Sequence, residues 1–279
     1  MLRNKTKYLF VIVCFITLNK LFSQEVVSDI ALSKKLDETS ALEIVSNTLI
    51  TINDSGNKPV LFYLDKKGNI LNERKLDCCK NNDWESLAVD DEFIYIADMG
   101  NNFDTRKNLS IIKIPILKSS NENVEVINFS YPEQKKFKRI YRRSEYDAEA
   151  LISFEDKLLI FTKNKRKKIT EIYSLPKNAG NYQAKKIGSL NTDSIVTGGD
   201  YDKATNTLAL TSTIKFDEYY VLIITDFSLN NKNQKIDMYE IPIGKTQVEA
   251  IKIIDPTTFW ITSEDEKSSS AARLMKFKL

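Results

Sequence analysis

Residues 84–99 read WESLAVDDEFIYIADM. An acid, a small residue and an apolar residue open a short run. An Asp-Asp-Glu turn follows, then a second apolar run ending in the polar cluster Asp98 to Asn102. Two apolar runs of strand length, rich in Val, Ile, Phe and Tyr and separated by a turn, predict an antiparallel strand pair. The opening recurs as AEALIS (148–153), VEAIKI (248–253), ETSAL (38–42) and, in degenerate form, GGDYD (198–202). Aligned on Glu38, Glu85, Glu149, Asp200 and Glu249, the copies are spaced by 47, 64, 51 and 49 residues. A repeat of that length predicts a propeller or solenoid. A β-sandwich would explain the alternation, but not an acid returning to one strand position.

The rest of each repeat supports the same reading. Second strands are TLITIND (48–54), FIYIADM (93–99), LLIFTKN (158–164), TLALTST (207–213) and FWITSED (259–265). Third strands are VLFYLD (60–65), LSIIKIP (109–115), TEIYSLP (170–176), YYVLIITDF (219–227) and ARLMKFKL (272–279). A fourth appears four times, as ILNERKL (70–76), VEVINFSY (124–131), YQAKKIGSL (182–190) and KIDMYEIPI (235–243). Four strands in about 40–50 residues make a propeller blade. The fifth repeat lacks its fourth strand, and VVSDIAL (26–32) precedes the first. The prediction is an all-β β-propeller of five four-stranded blades, closed by the N-terminal strand, which removes exposed sheet edges. Six blades is the alternative, because the 64-residue interval has room for more strands.

Residues 1–23 stand apart. Arg3, Lys5 and Lys7 precede an 11-residue apolar run, Tyr8 to Leu18, too short to cross a bilayer and of signal-peptide length. Cleavage after Ser23 leaves one propeller domain, 24–279, exported to the periplasm or the extracellular space, with no transmembrane segment. Val13 before Cys14 argues against lipidation there. The formal charge of +3 includes four basic residues and no acid from the leader, so the remainder carries −1. That balance speaks against nucleic acid as a partner. The chain has no histidine, which excludes Ser-His-Asp and Cys-His catalysis and His-ligated zinc. Cys78 and Cys79 are adjacent, a spacing that ordinary disulfide geometry does not favour.

First strands of propeller blades line the central channel, and each begins beside the end of its antiparallel second strand. Glu38, Glu85, Glu149, Asp200 and Glu249 are therefore expected to form an inner ring at one mouth. Asn53, Asp54, Asp98, Asn164 and Asp265 would surround it. Crowded carboxylates raise one another's pKa. A divalent cation, basic side chains or protonation must relieve them, unless the acids cap strand ends by accepting backbone N–H bonds. Oxygen ligands without histidine favour calcium. The expected metal set is Glu38, Asp54, Glu85, Asp98, Glu149, Asp200 and Glu249. Two basic runs, KKFKRIYRR (135–143) and KNKRKK (163–168), flank the third opening. Lys163, Arg142 and Arg143 are the expected anion receivers, or else a solvated face. Trp84, next to Glu85, is expected to pack between blades, since neighbouring strand residues face opposite ways.

The segments 38–70 and 81–102, with weaker echoes at YDAEAL (146–151) and VEAI (248–251), resemble a family of exported bacterial β-propellers grouped with the phytase-like or esterase-like propeller domains. β-Propeller phytases hold calcium with acids at the channel mouth, beside basic residues that receive phosphate. By resemblance this implies such roles for Glu38, Asp54, Glu85, Asp98, Glu149 and Glu249. The chain departs from phytases in its five repeats against six blades, in lacking a DA-DDPA-type motif, and in having Asp200 after Gly198-Gly199.

Two functions compete. One is a monomeric binding module that takes a small anionic ligand or a protein and carries calcium at its mouth. The other is a metal-dependent hydrolase of phosphoesters or lactones, with calcium as Lewis acid and a glutamate as general base.

Overall fold

In the computed structural model, short β-branched runs form 21 strands among the described residues. The structure describes residues 24–77, 79–117, 123–140, 143–231, 233–244, 246–264 and 271–279. Residues 1–23, expected to be a leader, and Cys78, Arg142 and Asp265 lie outside them. Among the described residues no helix is long and apolar enough to cross a membrane.

The strands form five antiparallel blades. Blade 1 is β2(Glu43–Val45), β3(Thr48–Thr51), β4(Val60–Leu64) and β5(Ile70–Lys75). Blade 2 is β6(Trp84–Val89), β7(Phe93–Asp98), β8(Leu109–Pro115) and β9(Glu125–Ser130). Blade 3 is β10(Ala148–Phe154), β11(Lys157–Thr162), β12(Thr170–Pro176) and β14(Lys185–Leu190). Blade 4 is β15(Ile195–Asp202), β16(Thr207–Ile214), β17(Glu218–Ile224) and β18(Asp237–Glu240). Blade 5 is β19(Val248–Asp255), β20(Thr258–Ser263), β21(Arg273–Lys278) and, from the other end of the chain, β1(Glu25–Ala31). The 64-residue interval holds no sixth blade. Among the described residues its extra length includes the connection between β7 and β8.

β1 runs antiparallel to β21, with Glu25 opposite Lys278 and Ile30 opposite Leu274. Arg273 Nε donates to Asp29 Oδ1 at 2.8 Å, and Leu32 N–H donates to the Ala272 carbonyl at 2.7 Å. The predicted closure is present.

YQAKKIGSL, predicted as one strand, is two. β13(Gly180–Gln183) leaves its own blade and pairs in parallel with β9 of blade 2. The chain then turns at the buried Ala184, and β14 completes blade 3. Parallel pairing of Tyr182 with Phe129 covers the outer edge of blade 2, which would otherwise be an open template for association.

Each of the five seams between blades has its own apolar cluster. Trp84, Ile96 and Ile50 pack between blades 1 and 2, and Tyr95, Leu151 and Tyr173 between blades 2 and 3. Phe161 and Leu222 fill the next seam, Phe259 and Val221 the fourth, and Leu42, Phe62 and Trp260 the fifth. Five filled seams close the ring. Trp84 is fully buried in the first, as predicted for a packing residue.

Candidate metal centre

Every inner strand slips its pairing by one residue near its start. The ladder skips Glu85 between Trp84 and Ser86, and Glu149 between Ala148 and Ala150. It also skips Thr197 between Val196 and Gly198, and Glu249 between Val248 and Ala250. A β-bulge leaves the extra residue unpaired and re-aims its side chain. Blade 1 has the same step at Ser40, after the Thr39–Asn53 bridge. The ring is therefore Ser40, Glu85, Glu149, Thr197 and Glu249.

This corrects two predicted members. Glu38 lies two residues before the ring position, is exposed, and accepts from Asn57 Nδ2 at 2.6 Å. Asp200 lies three residues beyond it, further from the mouth. There Lys252 Nζ sits 2.8 Å from Asp200 Oδ1 and 2.6 Å from Glu43 Oε2, and Ile253 N–H donates to Asp200 at 2.8 Å. Asp200 is half of a buried ion-pair lock joining blades 1, 4 and 5. Asp98, predicted to face the mouth, is taken by Arg106 at 2.7 Å and by Asn82 Nδ2 at 2.6 Å. Asn53 turns to the Lys35 carbonyl, 2.8 Å away.

The mouth itself is a cavity of about 190 Å³, lined among others by Ser40, Asp54, Glu85, Glu149, Glu249 and Glu264. Asp83 and Asp147, which the sequence reading did not single out, cluster with its lining glutamates. Carboxylate oxygens of Asp54, Asp83 and Glu85 lie within 4.8 Å of one another, and so do those of Glu85, Asp147 and Glu149. Oxygens that share one calcium at roughly 2.3–2.6 Å can be no more than about 5 Å apart, so both sets fit. The signal was in the sequence: Asp83-Trp84-Glu85 and Asp147-Ala148-Glu149 are the same Asp-x-Glu step. On this alignment Glu38 corresponds to Asp83, not to Glu85.

The two sets differ in their counter-charges. Lys163 Nζ is 2.6 Å from Glu149, and Lys165 Nζ is 3.0 Å from Asp147 and 2.7 Å from Asn102 Oδ1. For Asp54, Asp83 and Glu85 the nearest recorded cation is Arg106, 3.9 Å from Asp83 and already committed to Asp98. Lys163, expected to receive an anion, is thus an internal counter-ion. Arg143 is exposed, and Arg142 lies outside the described residues.

Burial pushes Glu85 well above the ordinary carboxylate range, and Glu149, Asp54, Asp83 and Asp147 add to the push. Asp54 is raised to about 7 by burial and by Glu149 and Glu264, although the Ser55 N–H bond works against this. Asp83 is raised to about 7 by burial, Asp54 and Asp147, against Arg106. Glu249 also lies well above its usual value, through burial and through Glu149 and Glu264, which outweigh the opposing Lys163. For Lys163, burial favours the neutral amine, but Glu149, Glu249, Asp147 and Glu85 prevail and keep it protonated. The mouth holds more negative charge than its lysines neutralise.

Backbone groups are capped by residues at and beside the ring, Asp54 among them through the Ser55 N–H. Ser40 Oγ donates to the Trp84 carbonyl at 2.8 Å, Leu151 N–H donates to Ser86 Oγ at 3.0 Å, and Asn101 N–H donates to Asp147 at 2.8 Å. Glu85 is 5% exposed, and among the described residues no hydrogen bond to its carboxylate is recorded. The site also dictates a glycine. A Cβ on Gly100 would stand 2.1 Å from Glu85 Oε1 and 2.4 Å from Asp83 Oδ2. Any side chain there would force the two carboxylates to shift.

Comparison of the sequence with known protein families and with curated proteins gives no match. Among solved structures the chain has the fold of β-propellers. It is similar to the PQQ-bound aldose sugar dehydrogenase of Streptomyces coelicolor, with 9% identity and a TM-score of 0.54 over 92% of this chain and 98% of that one. It is also similar to a glucose dehydrogenase, with 7% identity and a TM-score of 0.50 over 89% of this chain and 99% of that one. At such identities the likeness concerns the fold alone.

Proposed function

We propose that the protein is an exported binding propeller whose channel mouth holds a divalent cation, calcium by the chemistry of its donors. Asp54, Asp83 and Glu85 are the ligands, with Asp147 and Glu149 as a second, lysine-compensated group. The observation that carries this reading is the Asp54–Asp83–Glu85 cluster, buried at Glu85 and half-buried at the two aspartates, with oxygens within 4.8 Å and without a committed cation of its own. All donors are oxygens, which suits a hard cation. Gly100 supports it too, because its missing side chain leaves room for two carboxylates to converge. Export rests on the leader-like residues 1–23.

The test is thermal melting of the protein from residue 24 onward, in chelator and in rising free Ca²⁺. A ligand that binds only the folded state raises stability by RT ln(1 + [L]/Kd), about 2.7 kcal/mol at a hundredfold excess over Kd. Melting that ignores both calcium and chelator would sink the proposal.

The second reading is the phytase-like one, a hydrolase of phosphoesters or lactones. A bound calcium would act as Lewis acid toward a phosphoryl or carbonyl oxygen. Glu249 favours this reading, since it lines the same cavity and no hydrogen bond to its carboxylate is recorded among the described residues, which leaves it free to act as a base toward a water. Hydrolysis of p-nitrophenyl phosphate or a simple lactone, lost in Glu249→Gln with calcium stabilisation retained, would select it over binding alone.

A further inference from the structure

A second cavity, of about 710 Å³, opens beside the acidic mouth. Asn102, Lys165 and Phe216 line both. Its own walls add Phe103, Lys168, Ile195 and Lys215. A cavity of this size matches a small-molecule site, which is usually apolar with a few placed polar groups.

Two features separate it from an ordinary solvated groove. The first is Phe216, at the tip of the β16–β17 hairpin. Lys215 and Phe216 both have left-handed backbone, with φ of 60° and 63°. For a bulky residue this conformation is unfavourable, and a hairpin tip would ordinarily hold Gly, Asn or Asp. Phe216 is nonetheless 51% exposed, so burial returns little. The second feature is charge. Lys165 is held to Asp147 and Asn102, but for Lys168 and Lys215 no ion-pair partner is recorded among the described residues. Across the cavity Phe103 is 36% exposed and is backed by Arg139, 4.1 Å over its ring.

We infer that this cavity is a binding site for an anion carrying an aromatic or similarly flat apolar body, held between Phe103 and Phe216 with its charge on Lys168 and Lys215. The inference rests on the binding reading above and names its ligand class. The shared wall at Phe216 and Asn102 brings such a ligand alongside the carboxylate mouth.

The experiment uses 1-naphthyl phosphate as probe, titrated into the protein in chelator and again in calcium, beside inorganic phosphate and 1-naphthol. Saturable binding of 1-naphthyl phosphate, at least about tenfold tighter than either fragment, is expected. Fragments that bind as well as the whole probe, or no saturable binding at all, overturn the inference. Phe216→Gly supplies the second measurement, because it relieves the left-handed strain while removing the ring. Its melting temperature should hold or rise while probe affinity falls about tenfold. Unchanged affinity would overturn the assignment of Phe216. Binding retained in chelator by a protein that shows no calcium response would discard the cation and keep this site. The converse result would discard this site alone.

Discussion

Glu85→Gln keeps the size of the side chain and removes one ligand charge from the Asp54–Asp83–Glu85 cluster. The calcium-induced rise in melting temperature should fall by at least half, and the melting temperature in chelator should not drop, since a buried carboxylate in a repulsive cluster is then lost. Differential scanning fluorimetry at matched free calcium reads both. The same cluster sets a pH dependence. Asp54 and Asp83 are raised to about 7 in the fold, and Glu85 and Glu249 are raised as well, so the folded state binds more protons than the unfolded chain above the ordinary carboxylate range. Stability in chelator is therefore greatest below about pH 4 as far as these groups decide it, and declines as pH rises through 7. Calcium binding should strengthen over the same interval, because it competes with those protons. A chelated protein whose melting temperature climbs from pH 5 to pH 8 would contradict the assigned shifts. At this scale the sequence was only partly legible. The repeated acids pointed to the right mouth, but aligning on the nearest acid misplaced Glu38 and Asp200. The bulge that defines the ring leaves no mark at Ser40 or Thr197, where the residue is not acidic. Aligning on the following pairs Ala41-Leu42, Ser86-Leu87, Ala150-Leu151 and Ala250-Ile251 would have recovered the register.

Strand alternation, turn residues and the spare N-terminal strand made the elements far easier to read, because burial on one face forces period-2 patterning. The exception is β13. Nothing local distinguishes Gly180–Gln183 from the start of the following strand, and its pairing with β9 depends on where blade 2 happens to lie. Closure of the ring gives the test at this scale. Deleting residues 25–31 leaves β21 with a bare edge and exposes the apolar seam that Val26 and Ile30 cover. The melting temperature should fall by at least about 10 °C, equivalent to roughly 3 kcal/mol or more for a domain of this size. Adding a synthetic peptide of residues 24–32 in excess should restore part of the loss. An unchanged melt after the deletion would mean that the seam contributes little.

Across the whole molecule, the channel is organised in two tiers. The outer tier is the carboxylate mouth. The inner one is Lys252 clamped between Glu43 and Asp200, three residues further along strands from three different blades. Burial raises Glu43 to about 7 despite Lys252 beside it. Lys252→Met would leave two buried acids facing each other, a loss on the order of 3–5 kcal/mol at pH 8. At pH 5, where Glu43 takes up a proton, the loss should be smaller. Equal destabilisation at both pH values in chemical denaturation would rule out the charge argument. The way the ring is fastened also decides how it responds to a pull. Glu25 and Lys278 are paired partners, so the first end of β1 and the last end of β21 lie side by side at one edge of blade 5. Tension applied between them peels β1 from β21 one rung at a time, and no stage loads the whole ladder in shear. A propeller tethered by both ends should therefore open at low force, beginning at this seam. One tethered through loops of opposite blades should resist far longer.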